Sequence, residues 1–115
     1  MKKILLITVL VLCNTVVFAQ PTRNIKCTNQ APLPKLKGID SVTYDDEIRP
    51  LLLKNGWQPV PISEAEKGPF FDEDKPEQYC SATVCISSFK DKNKNQLNLV
   101  MNDFIQKVEI KCFNR

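Results

Sequence analysis

The sequence contains no histidine, and this absence excludes much of hydrolytic chemistry. Ser-His and Cys-His nucleophile pairs need an imidazole as the general base, and many metal sites need it as a ligand. A zinc site would then depend on cysteines, which pair with one another in an oxidising compartment. We therefore predict that the protein is not an enzyme and that it has no catalytic residues, no metal site and no cofactor.

The chain also lacks a strong excess of charge of either sign. Sixteen basic residues face thirteen acidic ones, which gives a net charge of +3. Without Lys2 and Lys3, which belong to the segment discussed next, fourteen basic residues remain against thirteen, so the net charge is near +1. This balance argues against nucleic acid as a partner and against strong attraction to anionic lipid.

Residues 1–19 have the features of a cleaved signal peptide. Lys2 and Lys3 form a positive start, residues 4–17 form an apolar run, and Ala19 ends a Val-Phe-Ala sequence of the kind that signal peptidases cut. The mature chain should therefore begin at Gln20. The compact apolar run resembles bacterial signals, so we expect the protein in the periplasm or in the extracellular medium.

Two other interpretations of this segment are weaker. A transmembrane anchor needs about 20 apolar residues, whereas this stretch is shorter and is interrupted by Thr8, Asn14 and Thr15. Lipid attachment at Cys13 is also disfavoured, because the bulky Leu12 stands where a lipid-attachment motif has a small residue. We expect no membrane insertion after cleavage.

Export changes how the cysteines of the mature chain are interpreted. Cys27, Cys80, Cys85 and Cys112 would meet an oxidising environment, so we predict two disulfides. Four cysteines allow three connectivities, and the sequence alone does not choose among them. We favour a local bridge across a turn between Cys80 and Cys85, which are close in the sequence, and a second bridge in which Cys27 joins an N-terminal arm to the last strand at Cys112.

Residues 20–115 number 96, which fits one small domain. We predict an α+β fold in which one main helix packs on an antiparallel β-meander of three to four strands, stabilised by disulfides. An irregular arm is expected at residues 20–42 and a Pro-rich acidic loop at residues 58–79. Alternating apolar residues and turn signals place the strands at 82–90, 96–101 and 105–112, with a fourth strand from the arm or from residues 58–62.

The helix is predicted at residues 44–55, where apolar residues recur on one face. Thr43 is a candidate N-cap. Pro50 conflicts with a regular interior, so the helix either kinks there or is regular only after it. Gly56 and Trp57 suit a Schellman stop, in which glycine adopts positive φ and the next residue packs back on the helix.

The long acidic loop at residues 58–79 holds four prolines and six acidic residues. Loops of this length without their own secondary structure are often functional. Two adjacent aromatic side chains within it point in different directions, so at least one is expected on the surface. The candidate partner-binding residues are Phe70, Phe71, Asp72 and Asp74.

Residues 91–95 partly match a calcium-binding loop. Asp91, Asn93 and Asn95 occupy the first, third and fifth ligand positions. The match fails further on, because Gln96 stands where glycine is needed for the sharp turn and Asn102 stands where a bidentate glutamate is needed. We interpret the segment as a turn between two strands.

The middle of the chain carries two motifs, Arg49-Pro50-x-Leu52-x-x-x-Gly56-Trp57-x-Pro59 and Glu77-x-x-Cys80-x-x-x-x-Cys85, the second followed by a predicted hairpin. Together they resemble a pattern of small exported proteobacterial proteins of unassigned function, over residues 44–101. The resemblance implies an α+β fold with a helix on a sheet and supports the local bridge between Cys80 and Cys85. It implies no catalytic residues.

We therefore expect a non-enzymatic periplasmic or secreted protein that binds another envelope or secreted protein, as inhibitors, immunity proteins and envelope accessory proteins do. The acidic loop with its two phenylalanines has the composition of a protein interface. The alternative is a hydrolase that uses carboxylates on an envelope glycan or peptide. Its candidate residues would be Asp72, Glu73, Asp74 and Glu77.

Export and oxidation predict the mass of the purified protein. We expect intact-mass spectrometry to give a chain that begins at Gln20 and is lighter than its reduced form by four hydrogen atoms, two for each disulfide. Retention of residues 1–19, or free thiols in the exported protein, would contradict the assignment of an oxidising compartment.

Overall fold

The computed structural model describes residues 27–113. The predicted signal peptide and residues 20–26 lie outside the described residues. Within the described part of the chain, no helix has the length and apolar character needed to cross a membrane.

One helix, α1, covers residues 41–54. It consists of an α-helical start at Ser41–Thr43, a π-helical stretch at Tyr44–Ile48 and an α-helical end at Arg49–Lys54. Asp40 is the N-cap, because its side chain accepts hydrogen bonds from the backbone N–H of Thr43, at 2.8 Å, and from the Thr43 hydroxyl, at 3.1 Å. The helix therefore begins three residues before its predicted start, and Thr43 donates to the cap instead of forming it.

The π-helical stretch explains how the helix accommodates Pro50. Proline has no N–H to donate, and its ring collides with the carbonyl four residues earlier in a regular α-helix. The backbone N–H of Arg49 donates to the carbonyl oxygen of Tyr44, five residues earlier, so the turn before Pro50 is wider than an α-helical turn. Regular α-helix then resumes and continues to Lys54.

The C-terminus of α1 is the predicted Schellman stop. Gly56 has a φ of 105°. Its N–H donates to the Leu53 carbonyl at 3.2 Å, while the N–H of Trp57 donates to the Leu52 carbonyl at 3.0 Å. Trp57 is fully buried beside Leu52 in the core, and its indole N–H donates to the Pro32 carbonyl of the arm at 3.0 Å.

The sheet has five antiparallel strands, so the predicted α+β fold is confirmed with one strand more than expected. The strands are β1 (Gln58–Pro59), β2 (Gln78–Cys80), β3 (Cys85–Lys90), β4 (Gln96–Met101) and β5 (Ile105–Lys111). The order is β1-β3-β4-β5, and β2 also pairs with β3. Because β4 occupies the other side of β3, β1 and β2 share one edge.

Alternation along the strands gives the sheet two faces. The inner face packs against α1 and the arm, and it supplies most of a buried core: Leu36, Tyr44, Leu52, Trp57, Phe89, Leu97, Leu99, Met101 and Ile105. Pairing across the strands places Tyr79, Ile86 and Val100 in one row on the outer face. Ile86 and Ser88 on this face border a cleft of about 250 Å³ together with Ile62 and Glu66.

Two disulfides join Cys27 to Cys112 and Cys80 to Cys85, with Cα separations of 5.5 and 4.0 Å. This is the connectivity favoured above. Cys80 and Cys85 lie directly opposite each other where β2 pairs with β3. The long bridge ties the beginning of the arm to the residue that follows β5. Both disulfides fit a protein of an oxidising environment.

The segment at residues 58–79 begins with β1 and reaches into β2, so both of its ends are held on the edge of β3. Between them, Glu64–Glu66 forms a 3₁₀ turn. Ser63 and Glu66 form a capping box, in which the Glu66 carboxylate accepts the backbone N–H of Ser63 at 2.9 Å. The segment that the sequence predicts as loop thus contains β1, this short helical turn and the start of β2.

The positive φ of Gly56 predicts a measurable cost for a side chain at this position. We expect Gly56→Ala to lower the free energy of unfolding by about 1 kcal/mol or slightly more, because non-glycine residues disfavour the left-handed region. Chemical denaturation measures the change. Gly68→Ala is the control, since Gly68 does not have positive φ and its added Cβ would meet no atom within 4 Å; an equal loss in both variants would contradict the argument.

Candidate functional site

The four candidate partner-binding residues occupy one stretch of the acidic segment, but they differ in their surroundings. The Phe70 side chain is 54% exposed. Phe71 is half-buried, and the Lys67 ammonium lies 4.7 Å from the centre of its ring. Asp72 and Asp74 are exposed, and Asp72 Oδ1 accepts the backbone N–H of Asp74 at 2.9 Å. Phe70 is therefore the aromatic that the loop presents to solvent, while Phe71 helps to fold it.

A buried ion pair fixes the end of this segment against the helix. Arg49 Nε donates to Glu77 Oε2 at 2.9 Å, and Nη2 donates to Oε1 at 2.8 Å. The side chains are 15% and 0% exposed, respectively. Such a two-pronged contact constrains both position and orientation. It holds the residue just before β2 in place.

Two further contacts fix the acidic segment, one to α1 and one between its own two ends. Lys75 Nζ lies 3.1 Å from Asp45 Oδ1 on α1, and the backbone N–H of Ile62 donates to the carbonyl oxygen of Pro76 at 3.0 Å. The second contact joins the part of the segment that follows β1 to the part that precedes β2. The segment is thus a closed loop with an anchored base.

Two further exposed apolar side chains, one of them beside Phe70, were missed by sequence reasoning. Tyr79 on β2 is 42% exposed and Ile86 on β3 is 39% exposed, and they form a cross-strand pair on the outer face of the sheet. Phe70 and Tyr79 line the same cleft of about 460 Å³ between the acidic segment and β2. We call Phe70, Tyr79 and Ile86 the aromatic surface.

A signal for Tyr79 was present in the sequence. In residues 78–80, Gln78 and Cys80 face inward and Tyr79 faces outward, as the two-residue period of a strand requires. Three residues are too few for the alternation to be recognised beside a proline-rich loop. The pairing becomes evident only because Cys80 bonds to Cys85 and aligns β2 with β3.

The acidic segment that bears Phe70 carries several exposed carboxylates, and its two lysines are already paired. Lys67 Nζ contacts Glu64 at 2.7 Å, and Lys75 contacts Asp45. The exposed carboxylates on the segment are Glu64, Glu66, Asp72, Glu73 and Asp74. Of these charged residues, Glu66 and Lys67 line the cleft. The net negative charge therefore belongs to the acidic segment beside the cleft, which we call the rim.

The four candidate carboxylates of the hydrolase alternative, Asp72, Glu73, Asp74 and Glu77, are poorly placed for catalysis. Paired catalytic carboxyls need a cleft between them, and the acid needs an apolar pocket that keeps it protonated. Glu77 has a fully buried side chain whose two oxygens bind Arg49, so it is turned away from any substrate. Asp72, Glu73 and Asp74 are exposed to water. No two of these four groups face each other across an apolar cleft.

A buried polar group lies next to the ion pair. The hydroxyl of Tyr44 is fully buried and has no hydrogen-bond partner among the described residues. Burial raises the pKa of Tyr44 far above its ordinary value, and the Glu77 charge raises it further; Arg49 and the nearby Ser87 hydroxyl offset part of this. Tyr44 therefore stays neutral, packs in the core and is inaccessible to a ligand.

Asp91, Asn93 and Asn95, which partly match a calcium-binding loop, belong to a network of hydrogen bonds centred on Asp91 that we call the hub. Asp91 Oδ1 accepts the backbone N–H groups of Asn93 and Asn95, each at 2.9 Å. Asp91 Oδ2 accepts the N–H of Ala31, at 2.9 Å, and the Asn95 side chain, at 3.0 Å. Both carboxylate oxygens are thus occupied by donors, and the turn between β3 and β4 holds the N-terminal arm.

These hydrogen bonds also determine the charge of Asp91. Burial alone would raise its pKa, but the bonds from Asn95, Ala31 and Asn93 outweigh this effect and hold the pKa below its ordinary value. Within residues 27–113, no group of three or more His, Cys, Asp or Glu residues is arranged to hold a metal ion.

A second cleft, of about 470 Å³, lies where the arm, the end of α1 and the β3–β4 turn meet. Lysine and amide side chains line much of it, and it has no aromatic residue that could anchor a protein partner. Asn29 and Asn93 in its wall bind each other, because Asn93 Nδ2 donates to the Asn29 carbonyl at 2.7 Å. Part of this polar lining thus serves to attach the arm.

No family model, curated protein or solved structure matches the chain. The resemblance to small exported proteobacterial proteins therefore stays a prediction, and the geometry of the described residues carries the functional argument.

The hub predicts a stability change that depends on pH. We expect Asp91→Ala to lower the free energy of unfolding by about 2 to 4 kcal/mol at neutral pH, because it leaves buried donors without an acceptor. Because the folded-state pKa is lowered, the charged carboxylate contributes fully above the unfolded value of about 4 and this contribution is lost as the pH falls through the folded value. The difference from the wild type should shrink in acid.

Urea denaturation between neutral pH and about pH 3, the range that brackets an ordinary carboxyl pKa, measures this difference. Glu73→Ala, which removes an exposed carboxylate, is the control and should leave stability nearly unchanged. A melting temperature that rises with added calcium in the wild type but not in Asp91→Ala would overturn the structural interpretation.

Proposed function

We propose that this protein is a non-enzymatic binding protein, exported to the periplasm or the extracellular medium, whose aromatic surface binds another envelope or secreted protein. The observation that carries the proposal is the cluster of Phe70, Tyr79 and Ile86. Each of these large apolar side chains keeps more than a third of its area in contact with water. Side chains of this size are costly to leave exposed and are typical anchors of interfaces.

The rigidity of the surroundings supports this function. Tyr79 and Ile86 stand on paired strands next to the bridge between Cys80 and Cys85. Phe70 belongs to a loop whose base is closed by the contact between Ile62 and Pro76. A surface held in one conformation loses less entropy on binding, so more of its contact energy appears as affinity.

The charge around the surface favours a particular kind of partner. The exposed carboxylates of the segment exceed the lysines, and Lys67 and Lys75 are engaged in ion pairs. A partner that presents basic side chains around an apolar centre would complement this rim. Opposite charge accelerates the encounter of two proteins, and salt screens the effect.

Export belongs to the same proposal. The predicted signal peptide supports it, and the two disulfides fit an oxidising compartment. Small size, disulfides and a rigid surface are compatible with an inhibitor, an immunity protein or an envelope accessory protein. The resemblance noted for the two motifs at residues 49–59 and 77–85 is consistent with this group.

Truncation of the aromatic surface tests the proposal. We expect a double variant, Phe70→Ala with Tyr79→Ala, to lose a partner that the wild type captures from envelope extract, with affinity reduced at least about tenfold, because anchor residues each contribute more than about 1 kcal/mol. Phe104→Ala is the control, since Phe104 is 50% exposed but lies in the β4–β5 turn and is not part of the cleft lined by Phe70 and Tyr79. Calorimetry with the captured protein measures the affinities.

The charge of the rim is tested with the same partner. We expect Asp72→Asn with Asp74→Asn to slow association and to weaken its dependence on salt, while dissociation changes little. Unchanged capture by the Phe70/Tyr79 variant, or an equal loss in Phe104→Ala, would show that this surface is not the interface. Hydrolysis of an envelope glycan or peptide that disappears in the Asp72/Asp74 variant would instead support the enzyme alternative.

A further inference from the structure

Among residues 27–113, the outer edge of β5 is open along most of its length. β5 is the last strand in the sheet order. Its first residue is covered, because the N–H of Gly38 donates to the Ile105 carbonyl and the N–H of Ile105 donates to the Ile39 carbonyl, both at 2.8 Å. From residue 106 to residue 111, no other backbone segment among residues 27–113 pairs with this edge.

The register shows which residue directs its backbone outward. The Ser88 carbonyl accepts the N–H of Val60, so Ser88 faces the β1 edge and forms no backbone bond with its β4 partner, Asn98. Asn98 therefore directs its backbone groups to β5, where its partner Glu109 directs its own groups back. By alternation, the neighbouring Val108 turns its N–H and its C=O to the open edge.

We propose that β5 pairs in antiparallel fashion with the β5 strand of a second copy of this chain, about a two-fold axis that passes between the two Val108 residues. Each Val108 then donates its N–H to the carbonyl of the other. The two sheets become one sheet of ten strands. This inference does not depend on the proposed binding function, since β5 lies at the edge opposite to β2 and the aromatic surface.

Charge selects this partner and this register. Antiparallel pairing about Val108 places Lys107 opposite Glu109 of the partner subunit, and the symmetry repeats the contact. Both residues are exposed on the outer face, where their side chains already approach within 3.4 Å in one chain. Because the new pairs are not hydrogen-bonded through the backbone, their side chains are the closest across the strands.

Alternative registers are less favourable. Pairing about Glu109 would place this carboxylate against its own copy and Lys107 against Lys111 of the partner subunit, so like charges would meet at each position. Pairing about Ile110 would extend beyond the strand to Cys112, which is bonded to Cys27. The Val108 register uses residues 106–110, all of which lie within β5.

The signs of the charges also distinguish the edge of β5 from an edge strand whose charges only protect it against association. Edge strands often avoid association by presenting charged side chains, especially lysine. On the outer face of β5 the sign alternates along Lys107, Glu109 and Lys111. This alternation is self-complementary about Val108. A single strand pair buries little area, so the dimer should be weak and reversible.

Charge reversal gives a direct test of the register. Sedimentation equilibrium of the disulfide-bonded protein, up to about 1 mM, should show a monomer–dimer equilibrium. We expect Lys107→Glu to weaken dimerisation about tenfold or more, because two attractive pairs become repulsive. The double variant Lys107→Glu with Glu109→Lys restores opposite charges across the axis and should restore the dimer. Lys111→Glu is the matched control, with the same change of charge outside the register.

Val108→Pro tests the backbone contact separately. The N–H that proline removes points to the open edge, where proline is tolerated in a strand, so pairing with β4 should persist. Circular dichroism verifies that the variant is folded, and we expect it to be monomeric. A wild type that stays monomeric at every concentration, equal losses in Lys107→Glu and Lys111→Glu, or a double variant that does not recover would each overturn the proposal.

Discussion

The contact between Arg49 and Glu77 is the constraint on which the rest of the molecule depends. It joins the helix to the residue that precedes β2, and so it fixes where the long acidic segment returns to the sheet. A buried charge without its partner is strongly destabilising, so neither residue can leave this contact at low cost. The Tyr44 hydroxyl next to the pair is likewise fully buried. The position of Tyr79, two residues further on, follows from this contact.

Features that depend on neighbouring residues could be predicted from the sequence. The strands after residue 84 alternate clearly, so they were predicted nearly to their ends. The helix stop at Gly56 and Trp57 rests on a conformation that glycine adopts easily, and the structure confirms it. The proximity of Cys80 and Cys85 favoured the observed disulfide connectivity. In each case the decisive contact lies within a few positions of the residue that signals it.

Other features depend on residues that are distant in the chain, and these the sequence could not show. The partnership of Arg49 with Glu77 spans 28 positions, and no local pattern marks it. The strand that carries Tyr79 has three residues and exists because β3 offers an edge. Pro50 indicated an irregular helix but not its form, since a π-helical stretch is one of several ways to accommodate the ring. Phe70 was predicted as a candidate, whereas its exposed neighbours required the fold.

The bridge between Cys27 and Cys112 has a consequence for biogenesis. Cys112 follows the last strand, so this covalent link cannot form until all five strands have been synthesised. The other bridge closes a loop of a few residues and can form much earlier. The long bridge therefore reports completion of the chain, because a product that stops before residue 112 leaves Cys27 without its disulfide partner.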